Sequence, residues 1–180
     1  STFPSLPTHT LAADGRYVNS GVPPRTAKEF RALLDLLDEL GLREELPEAI
    51  FLEMGIERGE IGFGDIMRDP EVMEIFGAGR KAVIMVAEHL PAQEFFVRMQ
   101  TAGIACGPIA SPEEVLLDEH WVARGFPVEV DYGDGLGTVV HAGAPFRSTA
   151  WEYRLTRAPH IGEHDDEVLG PLRAGDGAAR

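Results

Sequence analysis

Phe126-Pro127-Val128-Glu129-Val130-Asp131-Tyr132, followed by Gly133-Asp134-Gly135 and then Val139-Val140-His141, is where the chain changes period. Phe126, Val128, Val130 and Tyr132 alternate with polar or small residues, the spacing of a half-buried strand, and the glycine-rich break turns the chain back on itself. The spacing predicts a β-hairpin. Most of what precedes it reads as helix. Thr26 and Glu29 have the spacing of a capping box, in which each side chain satisfies the other's free backbone N–H. Phe30, Leu33, Leu34, Leu37 and Leu40 then form one face of a helix that stops at Gly41. A second helix is expected over 44–54. Asp69-Pro70 opens another, with Val72, Met73 and Phe76 turned inward and Gly77 as its stop. Residues 80–90 are apolar and helical. Pro91 starts a helix that buries Phe95, Phe96 and Met99 and ends at Gly103.

The connecting pieces follow from turn chemistry. Asp14-Gly15 is a turn before a short strand over 16–22, which Pro23-Pro24 stops. Residues 104–109 read as strand. Ser111-Pro112-Glu113-Glu114 is a capping box with Pro at the first helical position, opening two short helices that end near Gly125. Residues 143–154 are extended, 159–162 form a turn, and a last helix covers 165–172. The end, 174–180, is Gly/Ala-rich and expected to fray. Strand, several helices, then a hairpin give an α+β class: helices packed on a small, mostly antiparallel sheet. The expected organisation is a linker-like arm over 1–12, a small α+β domain over 13–150 and a C-terminal segment over 151–180.

Composition narrows the function classes. The chain has 180 residues, with Lys plus Arg at 16 against Asp plus Glu at 30, a formal net charge of −14. So acidic a surface repels phosphate backbones and argues against nucleic acid as a partner. Apolar residues at 44% and charged residues at 26% are ordinary globular values and exclude disorder as the main state. The single Cys106 cannot form an internal disulfide and suits a reducing compartment, so a cytoplasmic location is expected. The longest apolar run, Ala82 to Ala87, is far short of a membrane span. The chain opens at Ser1 on a Thr-, Ser- and Pro-rich stretch. A beginning part-way along a longer protein, or after loss of an N-terminal part, is therefore expected.

No complete active site emerges from spacing. His160 and His164 are four apart, but Ile161-Gly162 between them breaks the helix that a shared metal would need, so no metal is expected. His120 beside Trp121 reads as packing or a cap, and His89 as a helix-ending cation. Cys106, within Ile104-Ala105-Cys106, reads as a core residue rather than a nucleophile. Glu44-Glu45, the acids between Glu57 and Glu60, and Asp165-Asp166-Glu167 read as solvated faces and caps. Asp65 and Asp69 stay ambiguous. Gly55, Gly59, Gly62 and Gly64 loosely suggest a glycine-rich loop, yet neighbouring Glu53, Glu57, Glu60 and Asp65 make a poor phosphate cradle. The catalytic set expected from the residues themselves is empty, and cofactor-binding residues are not identified.

A series of short motifs nevertheless occurs in a telling order. Ala102-Gly103-Ile104-Ala105-Cys106-Gly107-Pro108-Ile109, Ser111-Pro112-Glu113-Glu114-Val115 and Trp121-Val122-Ala123-Arg124-Gly125-Phe126 resemble segments of the class III CoA-transferases. That family includes formyl-CoA transferase, carnitine CoA-transferase and the bile-acid-inducible CoA-transferases, with α-methylacyl-CoA racemase as a relative. Gly143-Ala144-Pro145-Phe146-Arg147 is similar to the family's G-x-P segment. Ala158-Pro159-His160-Ile161-Gly162-Glu163-His164, with Glu167-Val168-Leu169, is similar to its closing motif, with Asp165 in place of the usual Thr. Ala13-Asp14-Gly15-Arg16-Tyr17-Val18 resembles the turn and strand that open its smaller domain.

The resemblance covers roughly residues 3 to 172 and implies the C-terminal half of a protein about twice this length. The family's large domain binds most of the coenzyme A and supplies the nucleophilic Asp, so no catalytic residue carries over to this chain. The resemblance further implies a coenzyme A thioester as substrate and carrier, no metal, a homo-oligomer of interlocked chains, and a large-domain half in the same or a separate chain as partner. Racemases show an acidic residue after the first small-domain strand, where this chain has Gly21-Val22-Pro23-Pro24, a departure that weighs against that activity. A natural short subunit or an interaction module without catalysis is one alternative reading, and part of an α-methylacyl-CoA racemase-like enzyme is another.

Overall fold

A computed structural model of the chain describes residues 8–133 and 135–175. The arm expected over 1–12 and the frayed end expected over 174–180 therefore lie largely outside the described residues. The chain divides at Ile109/Ala110 into two compact units. The class is α+β, with many helices and two small antiparallel sheets.

In the first unit, β1 (His9–Leu11), β2 (Tyr17–Asn19) and β3 (Gly107–Pro108) form an antiparallel sheet in the order β1-β2-β3. Thr10 lies opposite Val18, and Val18 opposite Pro108. His9 and Thr10, at the edge of the expected arm, are thus strand residues. The Asp14-Gly15 turn links more than two strands. Asp14 Oδ1 accepts the N–H of Arg16, and Oδ2 accepts the N–H of Ala92, tying the turn to a distant helix start. Both expected strands are shorter than the sequence suggested, because 16–22 and 104–109 each bend out of register. At Gly21, with φ +63°, a Cβ would stand 1.5 Å from the Ala105 carbonyl oxygen. Only glycine fits there, and the close approach ends both strands.

Helices α1 (Ala27–Glu39), α2 (Ala49–Arg58), α3 (Phe63–Ile66), α4 (Pro70–His89) and α5 (Ala92–Ala102) supply the core. Phe30, Leu33, Leu37, Leu52, Ile75, Val83, Val86, Phe95 and Met99 are fully buried together. Each such side chain contributes about 1.5–3 kcal/mol of transfer free energy. Leu40 and Phe96, expected inside, are half-buried, and Met73 is exposed.

Three local expectations are corrected. Thr26 Oγ1 accepts the Glu29 N–H at 3.3 Å, but Glu29 Oε2 reaches back to the N–H of Arg25, one residue before the cap. The helix expected over 44–54 is a 3₁₀ turn at Arg43–Glu45 followed by α2, since Pro47 cannot donate to a continuous ladder. Gly77 does not stop its helix: α4 runs without a break to His89. Tertiary packing of Ile75, Ala78, Ala82 and Val86 outweighs the roughly 1 kcal/mol propensity penalty of a helical glycine.

The second unit holds α6 (Pro112–Leu117), α7 (Glu119–Ala123), the hairpin of β4 (Pro127–Asp131) and β5 (Thr138–Ala142), and α8 (Asp165–Gly175). Val130 pairs with Val139, so the period change at Phe126 marks the hairpin as expected. Among the described residues of this unit, Val130 is the one buried apolar side chain, 4% exposed. Leu117 at 81%, Leu172 at 67% and Val168 at 59% stand in solvent.

Candidate functional site

The residues singled out for chemistry are dispersed. Cys106 is half-buried against the first unit's core, beside a shallow groove lined by Asn19, Gly21 and Pro108. Burial pushes its thiol up to about 11, leaving little thiolate at neutral pH. His160 and His164 lie on the turn before α8, where His164 Nδ1 is 3.8 Å from Glu167. Among the described residues no cluster of three His, Cys, Asp or Glu could hold a metal. His120 stacks edge-on against Trp121, and His89 Nδ1 lies 2.8 Å from the Met85 carbonyl.

The ambiguous acids are structural. Asp65 Oδ2 accepts the Gly62 N–H at 3.2 Å. Asp69 caps α4 by accepting the Glu71 N–H and pairs with Arg58 at 2.8 Å. The glycine-rich stretch is not one continuous loop: Gly55 is buried inside α2 against the Phe30 ring, Gly64 lies in α3, and only the short connection with Gly59 and Gly62 is irregular.

Two arginines, quoted only as motif letters in the sequence, come together in the second unit. Arg147 Nη2 donates to the Arg124 carbonyl at 2.8 Å, and Arg124 Nη2 donates to the Pro145 carbonyl at 3.1 Å. The reciprocal bonds tie the end of α7 to the irregular segment after β5. Arg124 also lies over the Trp121 ring, 5.2 Å from its centroid. A cleft of about 290 Å³ opens beside the pair, walled by Phe146, Trp151 and Tyr153. The Phe146 and Trp151 rings meet edge-to-face at 5.7 Å, and Trp151 and Tyr153 are tilted at 6.5 Å. Glu152 shares the rim, with its Oε2 held by Arg154 at 3.0 Å. Neither Arg124 nor Arg147 has a carboxylate partner among the described residues.

Comparison with known proteins decides the family. The model of "CoA-transferase family III" matches residues 64–165, more than half of the chain. The chain belongs to CoA-transferase family III. Relatives include formyl-CoA:oxalate CoA-transferases from Streptomyces coelicolor, 35% identical over 88 residues, and Streptomyces avermitilis, 34% identical over 88 residues. Each match covers 48% of this chain and 21% of the relative. The enzyme of that name from Escherichia coli O139:H28 is 28% identical over 109 residues, 61% of this chain and 25% of the relative. The matched stretch is thus about a fifth to a quarter of those proteins.

Within this family III chain, motif residues are largely occupied in building turns. Ser111 Oγ accepts the Glu114 N–H at 3.3 Å while Glu114 Oε2 accepts the Ser111 N–H at 2.8 Å. Asp118 Oδ1 accepts the N–H groups of His120 and Trp121. Glu163 Oε2 accepts the His160 N–H at 2.6 Å and an Arg157 N–H at 2.7 Å.

Proposed function

We propose that this chain is the small-domain part of a CoA-transferase that moves coenzyme A between acyl and carboxylate partners. It shapes the substrate pocket, while the nucleophilic Asp belongs to a large-domain half. In that reading the substrate is a coenzyme A thioester, and a carboxylate attacks its carbonyl, releasing the thiol and leaving a mixed anhydride. This domain's part is to wall the site and keep water from the anhydride. A net charge of −14 makes the chain poor ground for most of the phosphates of coenzyme A. The unpaired Cys106 supports a reducing, cytoplasmic setting.

The observation that carries the reading is how little apolar surface the described residues of the second unit bury. A unit in which Val130 is the one buried apolar side chain among the described residues, with Leu117, Val168 and Leu172 in solvent, has an apolar surface suited to a partner domain. The partner proposed is the large-domain half of a family III enzyme, in an assembly of interlocked subunits. Amide hydrogen exchange on the chain co-purified with a relative's large-domain half tests it. Protection gained by residues 151–173 on complex formation is the expected result. A failure to form a complex, or unchanged exchange there, contradicts it.

A further inference from the structure

The arginine cleft has no assigned occupant, and its side chains specify one. Although the chain carries 30 acidic residues against 16 Lys and Arg, Arg124 and Arg147 have no ion-pair partner among the described residues, and Glu152 at the rim of their cleft is held by Arg154. Arg43, Arg58, Arg98, Arg154 and Arg157 each pair with one or more carboxylates. Arg124 and Arg147 instead spend one Nη2 each on a backbone carbonyl, which fixes their planes without neutralising their charge. A guanidinium held in place with N–H groups to spare is an anion receptor, and its planar fork matches a carboxylate.

The rest of the wall is not that of a simple anion site. Phe146, Trp151 and Tyr153 present aromatic surface, and all three are partly exposed with no further ring covering them. Aromatic rings prefer to stack on or edge against another ring, with centroids about 4.5–7 Å apart. At about 290 Å³ the cleft falls just below the size range of ligand pockets, roughly 300–1,000 Å³, which leaves room for a single-ring molecule and little more.

We propose that this cleft binds an aromatic carboxylate, with its carboxylate on the Arg124–Arg147 pair and its ring against Trp151. The site stands on these side chains alone and does not rest on the CoA-transfer reading. Benzoate is the probe, with benzyl alcohol as its uncharged counterpart and inorganic phosphate as an anion without a ring. The indole N–H signal of Trp151 in two-dimensional NMR, assigned through Trp151→Phe, reports occupancy in the 180-residue chain.

Benzoate shifts this signal saturably, while benzyl alcohol and phosphate bind at least about tenfold more weakly, the range expected when a charged hydrogen bond is lost. Arg147→Gln weakens benzoate by a similar factor, and Arg147→Lys, which keeps the charge but not the fork, falls between. Because Arg147 also holds the Arg124 carbonyl, Trp151→Leu supplies an independent variant, followed through the Tyr153 ring signals. It also weakens benzoate. Equal binding of all three probes, no saturable shift, or benzoate affinity unchanged in both Arg147→Gln and Trp151→Leu overturns the proposal.

Discussion

Glu163 shows how much a single carboxylate holds in place. Its oxygens accept the His160 N–H and two Arg157 N–H groups, joining both ends of the turn that leads into α8. Those side-chain bonds from Arg157, and then the His160 N–H, lower its carboxyl from 4.5 to about 2. A depressed folded-state value means that the turn's stabilisation is complete above about pH 4.5 and is lost as the pH falls towards 2. NMR titration of the Glu163 side-chain carboxyl is expected to give a midpoint near 2. A midpoint near 4.5 would show that the clamp does not form. Residue-scale chemistry of this kind was only partly legible beforehand. The Glu163 motif was visible, but its partner Arg157 lay outside every quoted motif. Arg124 and Arg147 both fall within the family-like motifs, yet nothing local announces that residues 23 apart share a cleft.

At the scale of elements, glycine was the misleading letter. Gly77 has the place of a stop in the apolar pattern, yet α4 passes through both Gly77 and Gly79. The two positions differ in what surrounds them. A Cβ at Gly77 meets nothing within 4 Å, while one at Gly79 stands 3.0 Å from Pro24 Cδ and 3.1 Å from its Cγ. Gly77→Ala is therefore expected to stabilise the chain by about 0.5–1 kcal/mol through helix propensity alone. Gly79→Ala gives less, because Pro24 must move. Urea denaturation of both variants checks the order, and equal effects would remove the packing argument. Elements with side-chain caps are legible: Thr26 for α1, Asp69-Pro70 for α4 and the reciprocal Ser111–Glu114 box for α6 all start where side-chain chemistry puts them. The hairpin was legible for the same reason, since alternation and glycine turn agree.

The molecule as a whole is uneven. The first unit buries Phe30, Phe95, Leu33 and their neighbours completely, as an independent domain does. The second keeps regular elements but, among its described residues, buries one apolar side chain fully, Val130, and leaves Leu117, Val168 and Leu172 in solvent. Composition could not reveal this, because 44% apolar residues says nothing about where they are buried. The proposed reading, a domain that frames a CoA-transfer site whose nucleophile lies elsewhere, rests on family membership and on the exposed apolar side chains of the second unit. The central claim is tested by incubating the 180-residue chain with an acyl-CoA donor and a carboxylate acceptor and following thioester exchange by mass spectrometry. The account predicts no exchange by this chain alone, and exchange once a family III large-domain half is added. Exchange by the chain alone, with no such half in the preparation, would contradict it.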